Sequence, residues 1–330
     1  MALSRRDVLQ SSAAAALLAG VGQRAFAQAL PYDAVKIITG FPPGGTSDTI
    51  CRRVASKLAP GYGKSVVVEN RAGAGGQIAV QSMKQMPADG TAILQTPMSM
   101  LGIYPHIYKK LQYDPQTDVV PVSLGATFDF GFAVGPAVPS SVRDIPEFLA
   151  WCKANPTQAN FGSPGAGAVP HFIGVLIGRS GGVDLKHVPY RGTQPAILEM
   201  IGGQIQAVSG PVGEFTQHVA AGKARYLATT GVTRNKFAPN VPTLVEQGLK
   251  DMAFNEWFGF YLPAKAAPDV VSRANAALRA ALAEKEVIDG LEVMGLEAKS
   301  SSPAELAAML KADTERWGPV VKAIGFTADS

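Results

Sequence analysis

Histidine and cysteine are scarce in this chain, with four of the first and two of the second in 330 residues. None of them cluster at zinc-ligand spacing, so a metal site of that kind has no support. Cys51 and Cys152 lie far apart, each in a helical pattern, and separate buried thiols are expected rather than a disulfide, although an oxidising compartment would permit one. Charge is sparse too: 17% of residues carry it, and the net balance is only +4. The basic pairs Arg52-Arg53 and Lys109-Lys110 stand alone, without a basic, aromatic-interleaved stretch around them, which excludes nucleic acid as a partner. There is no apolar run of about 18 residues, so no segment is long enough to cross a bilayer as a helix. A P-loop is absent as well, because no lysine follows any of the glycine pairs.

What is present begins with an export signal. "MALSRRDVLQSSAAAALLAGVGQRAFA" combines a basic start, a short Ala/Leu core and an A-x-A site, so cleavage is expected after Ala27. Arg5-Arg6 within S-R-R-x-V-L fit the twin-arginine pattern; an ordinary secretory signal with a basic start is the alternative. Residues 1–27 hold three arginines and one aspartate, so the mature chain keeps a net charge of only +2.

The mature chain alternates strand-like and helix-like segments over a length that suits about two domains. Short β-branched or apolar runs such as "VKIIT", "SVVVEN", "TAILQT" and "IQAVSG" each lead into a helical pattern. In the first helix Ile50, Val54 and Leu58 fall on one face. This order predicts α/β architecture with mainly parallel sheets. In such folds ligands sit at the strand-to-helix turns, beyond the carboxyl ends of the strands. Those turns here are "GFPPGGTSD", "NRAGAGG", "QTPMS", "GSPGAGA", "YRGTQ" and "SGPVG". They are rich in glycine, proline and hydroxyl residues and poor in charge, the composition of a pocket built from backbone N–H groups.

Three motifs invite chemistry and do not sustain it. "GAGGQIA" resembles a dinucleotide fingerprint, but position 78 is Ile and no acidic residue ends the next strand, leaving a tight turn that opens a helix. Ser163 in "FGSPG" lacks the G-x-S-x-G frame; His171 could serve it as a base, but no acidic orienter stands in the segment. Arg191 could clamp a distal carboxylate, yet a solvent-facing turn arginine is the better reading. What the turns suit is an oxyanion, a carboxylate better than a phosphate. Helix starts supply free N–H groups and a positive dipole end without a formal cation.

Taken together, "FPPGGTSD", "VVVENRAGAGG", "ANFGSPGAGAVPHF", "HVPYRGTQPAI", "NVPTLVEQGL" and "WFGFYLPA" resemble the Bug family, the periplasmic solute receptors of tripartite tricarboxylate transporters. The resemblance covers nearly the whole mature chain. It implies a type 2 periplasmic binding protein: two Rossmann-like α/β lobes joined by two crossing strands, "FGFAVG" and "RYLATTG". Lobe 1 would comprise 28–127 plus 232–330, and lobe 2 residues 128–231. The family binds carboxylates, and its contacts carry over to Phe41, Gly44, Gly45, Asp48, Thr96 and Ser99 in the first lobe. In the second they fall on Ser163, Gly165, Ala168, His171 and Tyr190. Gly44 and Gly45 would let the backbone approach one ligand carboxylate.

The resemblance further implies no cofactor, a monomer, and delivery of the ligand to membrane permease subunits or a sensor kinase. A periplasmic enzyme acting on a small carboxylate with the same scaffold is the rival reading. Three departures from the family bear on the ligand, whether aromatic or dicarboxylic. Ala168 replaces a hydroxyl residue, Met98 and Met100 replace polar ones, and "AVSGPVG" lacks the usual acidic turn. An apolar-bodied ligand follows, and the lost acid counts against amino acids.

Export gives the first test. The mature protein is expected to begin near Gln28, and joint Arg5→Lys and Arg6→Lys substitution is expected to abolish its export through the twin-arginine route. Immunoblotting of the periplasmic fraction checks this; undiminished export would assign the ordinary secretory route.

Overall fold

The structure, a computed structural model, describes residues 32–328; the export signal expected at 1–27 lies outside the described residues. Ten strands follow in chain order: β1 (Tyr32–Thr39), β2 (Gly63–Asn70), β3 (Ala92–Pro97), β4 (Val119–Val134), β5 (Asn160–Ser163), β6 (Lys186–Pro189), β7 (Ala207–Pro211), β8 (Arg225–Thr229), β9 (Asn255–Pro263) and β10 (Glu297–Ala298). Their order across the sheet is β2-β1-β3-β9-β4-β7-β5-β6, with β8 and β10 also on β4.

The strands read from short apolar runs form the two parallel flanks: β1 pairs β2 and β3, and β5 pairs β6 and β7, all parallel. β3, with every residue buried, is a strand covered on both faces. The centre departs from a mainly parallel sheet. β4 and β9 are antiparallel to each other, and β4 is antiparallel to β7, β8 and β10 as well.

β4 is the axis of the molecule. "FGFAVG" is only its last part, since the strand runs for 16 residues from Val119. Up to Asp129 it pairs with β9; from Phe130 it pairs with β7, and from Gly131 with β8. The exchange of partners falls between Asp129 and Phe130. Phe128 and Phe130 pack edge to face at 5.4 Å there, and Phe128 lies 4.6 Å from Phe258 on β9. The second crossing is fastened by Thr230. Its hydroxyl accepts the Phe130 N–H at 3.0 Å and donates to the Phe254 carbonyl.

Helices cover the sheet as the periodicity predicts. Thr46–Leu58 buries Ile50, Val54 and Leu58 on one face. The closing helix, Pro303–Ile324, starts with a capping box between Ser302 and Glu305 and buries Trp317 and Val321. The chain breaks at Ile103 into two short helices, Met98–Gly102 and Tyr104–Ile107, with Pro105 in the first turn of the second. Cys51 and Cys152 are both buried and free.

Thr230→Val keeps the volume but leaves the buried Phe130 N–H without its acceptor. A loss of about 1–3 kcal/mol is expected, measurable as a lower midpoint in urea unfolding with unchanged slope.

Candidate functional site

All six strand-to-helix turns contribute to one cavity. Phe41, Pro42, Gly45, Thr46 and Ser47 come from the first and Gly75 from the second, with Pro97, Ser99 and Met100 from the third. Gly165 and Ala168, Gly192 to Gln194, and Pro211 with Glu214 represent the other three.

Two physical features dominate its wall. First, four helices present their starts to it: Thr46–Leu58, Val169–Ser180, Thr193–Ile201 and Val212–Ala220, whose N-cap or first-turn residues all line the space. Their dipoles make the cavity a favourable place for negative charge, and none of the lining residues is Arg, Lys or His. Second, the remainder is aromatic and apolar: Phe41, Tyr104, Phe128, Phe130, Phe258 and Met100.

The expected contacts divide. Phe41, Gly45, Ser99, Gly165 and Ala168 line the cavity; Gly44, Asp48, Thr96, Ser163, His171 and Tyr190 do not. Asp48 holds the loop instead. Its carboxylate accepts from the Gly44 N–H at 3.0 Å, from Arg52 at 2.8 Å and from Asn70 at 2.9 Å. Burial pushes its pKa up, but these bonds outweigh burial and leave it below the ordinary value. Gly44 has φ +89°, the left-handed conformation that favours glycine, whereas Gly45 has φ −83° and is an ordinary N-cap. Behind the loop, the hydroxyls of Thr39 and Ser47 converge on Gln95 Oε1 and fix the position of Ser47.

Ser163 and His171 do not form a pair. The Ser163 hydroxyl lies 2.8 Å from His187 Nε2, while His171 Nδ1 accepts the Gly167 N–H at 3.0 Å. The two imidazoles stack at 3.9 Å, and burial lowers His171 to about 4 and His187, also repelled by His171, to about 3. Both rings are neutral packing groups, and Ser163 is wholly buried. Arg191 is exposed, as a turn arginine should be.

The site is not without acids, as the loss of the acidic turn had implied: Glu214 and Glu256, both missed from the sequence, line the cavity. Glu214 is 6% exposed and Glu256 3%. Glu214, in the first turn of its own helix, reaches Thr46: Oε1 accepts from the Thr46 N–H at 3.1 Å and its hydroxyl at 2.9 Å. Gln194 donates to Oε2 at 3.3 Å. Burial raises the Glu214 pKa against the bonds from Thr46, Gln194 and Thr193. On β9, Glu256 accepts from the Ser99 N–H at 2.8 Å and from the Ser99 hydroxyl. Burial pushes it up to about 7, Ser99 opposes the shift and Asp313 adds to it. A sequence signal existed for Glu256, an acid inside the apolar run "NEWFGFYLP". Glu214 has none, because an acid in a first helical turn is ordinary dipole complement.

The chain has known counterparts. Residues 50–326 match the family model described as tripartite tricarboxylate transporter family receptor. A UPF0065 protein from the tcbD-tcbE intergenic region of a Pseudomonas sp. is 33% identical, covering 89% of this chain and 87% of its own length. Among solved structures, the periplasmic binding protein BugD has a TM-score of 0.84 at 27% identity, covering 90% of this chain and 99% of its own. An R. palustris protein with adipate gives 0.84 at 26%, covering 90% and 98%.

Glu256 leads to a pH test. Its folded pKa of about 7 exceeds the ordinary 4.5, so the folded chain binds the extra proton and stability falls as pH rises through that interval. Glu256→Gln keeps an acceptor for Ser99 and is expected to flatten that fall. Melting temperatures across the interval check it; an unchanged slope would contradict the assignment.

Proposed function

The chain belongs to the tripartite tricarboxylate transporter receptor family and is a solute-binding receptor for organic carboxylates, not an enzyme; from that premise we propose that its ligand is a small carboxylate with an aromatic body. The observation that carries the reading is the convergence of four helix starts on a cavity without a cationic side chain and with an aromatic wall. Helix starts hold a carboxylate through N–H groups and dipoles. Offset or edge-on packing of an aromatic body against Phe41, Phe128, Phe130 and Phe258 supplies the rest. The adipate held by the R. palustris relative supports a carboxylate of similar small size.

The receptor works in the periplasm, reached through the twin-arginine route. It is a monomer whose two lobes, 28–127 with 232–330 and 128–231, hinge where β4 changes partners and where Thr230 fastens the second crossing. The contacting residues are Phe41, Gly45, Ser99, Gly165 and Ala168, together with Thr193. Asp48 and Gly44 shape the first loop, Thr96 and Ser163 end strands behind the wall, and His171 and Tyr190 support the second lobe. Closure around the ligand presents a surface to permease subunits or to a sensor kinase.

The purified mature protein tested against mono- and dicarboxylates, aromatic and aliphatic, is expected to melt highest with an aromatic acid. A hundredfold excess over Kd stabilises by about 2.7 kcal/mol, and the ligand should be recovered unchanged. Stronger stabilisation by aspartate or glutamate than by any aromatic acid would overturn the aromatic assignment, and product formation would overturn the receptor assignment.

A further inference from the structure

The loop "FPPGGTSD" already holds an anion, and the anion belongs to the protein. The first-turn N–H and hydroxyl of Thr46, which a ligand carboxylate would use, are bonded to Glu214 Oε1. Gly45 makes the approach possible: a Cβ there would stand 3.2 Å from the same oxygen. Glu214 arrives from the Val212–Ala220 helix, whose parent strand β7 pairs with the far part of β4, whereas Thr46 follows β1 on the other flank. The acid therefore spans the cavity. Glu256 lines the same cavity, held on the Ser99 N–H and hydroxyl.

We propose that Glu214 sets the charge class of the ligand: it fills one carboxylate position from within the chain, so the receptor takes monocarboxylates whose far end donates a hydrogen bond and rejects dicarboxylates. The proposal rests on the carboxylate reading above and narrows it. Glu214 already occupies the start of the Thr46–Leu58 helix and stands in the first turn of its own, which leaves the starts at Val169 and Thr193 for a ligand carboxylate. A second ligand carboxylate would meet Glu214 and Glu256 with no Arg, Lys or His among the lining residues to separate them. An amine or hydroxyl at that end instead donates to the acids and lies against aromatic faces, which also favour a cation.

The test compares benzoate, 4-aminobenzoate and terephthalate by calorimetry on the full mature protein and on Glu214→Ser and Glu214→Gln. In the parent protein, 4-aminobenzoate is expected to bind best and terephthalate roughly a hundredfold or more weaker, as like charges in a desolvated cavity require. Glu214→Ser should open the Thr46 position, improve terephthalate and weaken 4-aminobenzoate. Should that variant not fold, judged by its melting curve without ligand, Glu214→Gln keeps the shape and must shift the ratio in the same direction. Terephthalate binding the parent as well as 4-aminobenzoate, or a ratio unchanged in the folded variants, overturns the proposal and leaves the carboxylate reading intact. Equal binding of the uncharged 4-aminobenzamide, with terephthalate still excluded until Glu214 is replaced, would overturn the carboxylate reading and support the role of Glu214.

Discussion

The carboxylate of Glu214 on the first turn of the Thr46–Leu58 helix is the interaction on which the arrangement of the site depends. A buried charge is tolerated only when it is hydrogen-bonded and placed in a favourable field. Thr46 and Gln194 supply the bonds, and the surrounding helix starts supply the field. Because the acid and its partner lie on opposite flanks of the sheet, the same contact draws the walls of the cavity together. Gly45 belongs to this arrangement through its missing side chain, not through an unusual backbone angle.

The field has its own structural origin. Each parallel strand hands over to a helix at its carboxyl end, so a sheet with parallel flanks collects several helix starts on one side. β4 and β9 then bring the two flanks into one continuous sheet, and the aromatic residues at their junction, Phe128, Phe130 and Phe258, form the floor between the helix starts. The result is a cavity that attracts negative charge while its surface is largely apolar. That combination suits a molecule with an acidic end and an unsaturated body.

Much of this was legible beforehand. The alternation of strand and helix, the six turns and the one-sided burial of Ile50, Val54 and Leu58 follow from periodicity and turn chemistry, which are local properties. So does the start of the last helix, since Ser302 and Glu305 cap it within four residues of chain. The antiparallel centre was not legible, because β4 exchanges partners that lie more than seventy residues further along the chain. Strand direction is settled by where a chain returns, not by its composition.

The amino-acid sequence alone determined the class of site: neutral, glycine-rich turns at strand ends, with no histidine–cysteine cluster and little charge, are built to hold an anion on backbone groups. Only the tertiary structure decided which groups are left for a ligand. Asp48 and Gly44, expected at the ligand, close on each other, and His171 and Ser163 are packed behind the wall. Glu214 and Glu256, ordinary by local pattern or unremarked, meet the cavity because distant turns converge there. The physical reason is that the field of a helix start is local and can be read from a few residues, whereas the charge that fills it comes from any part of the chain the fold brings near.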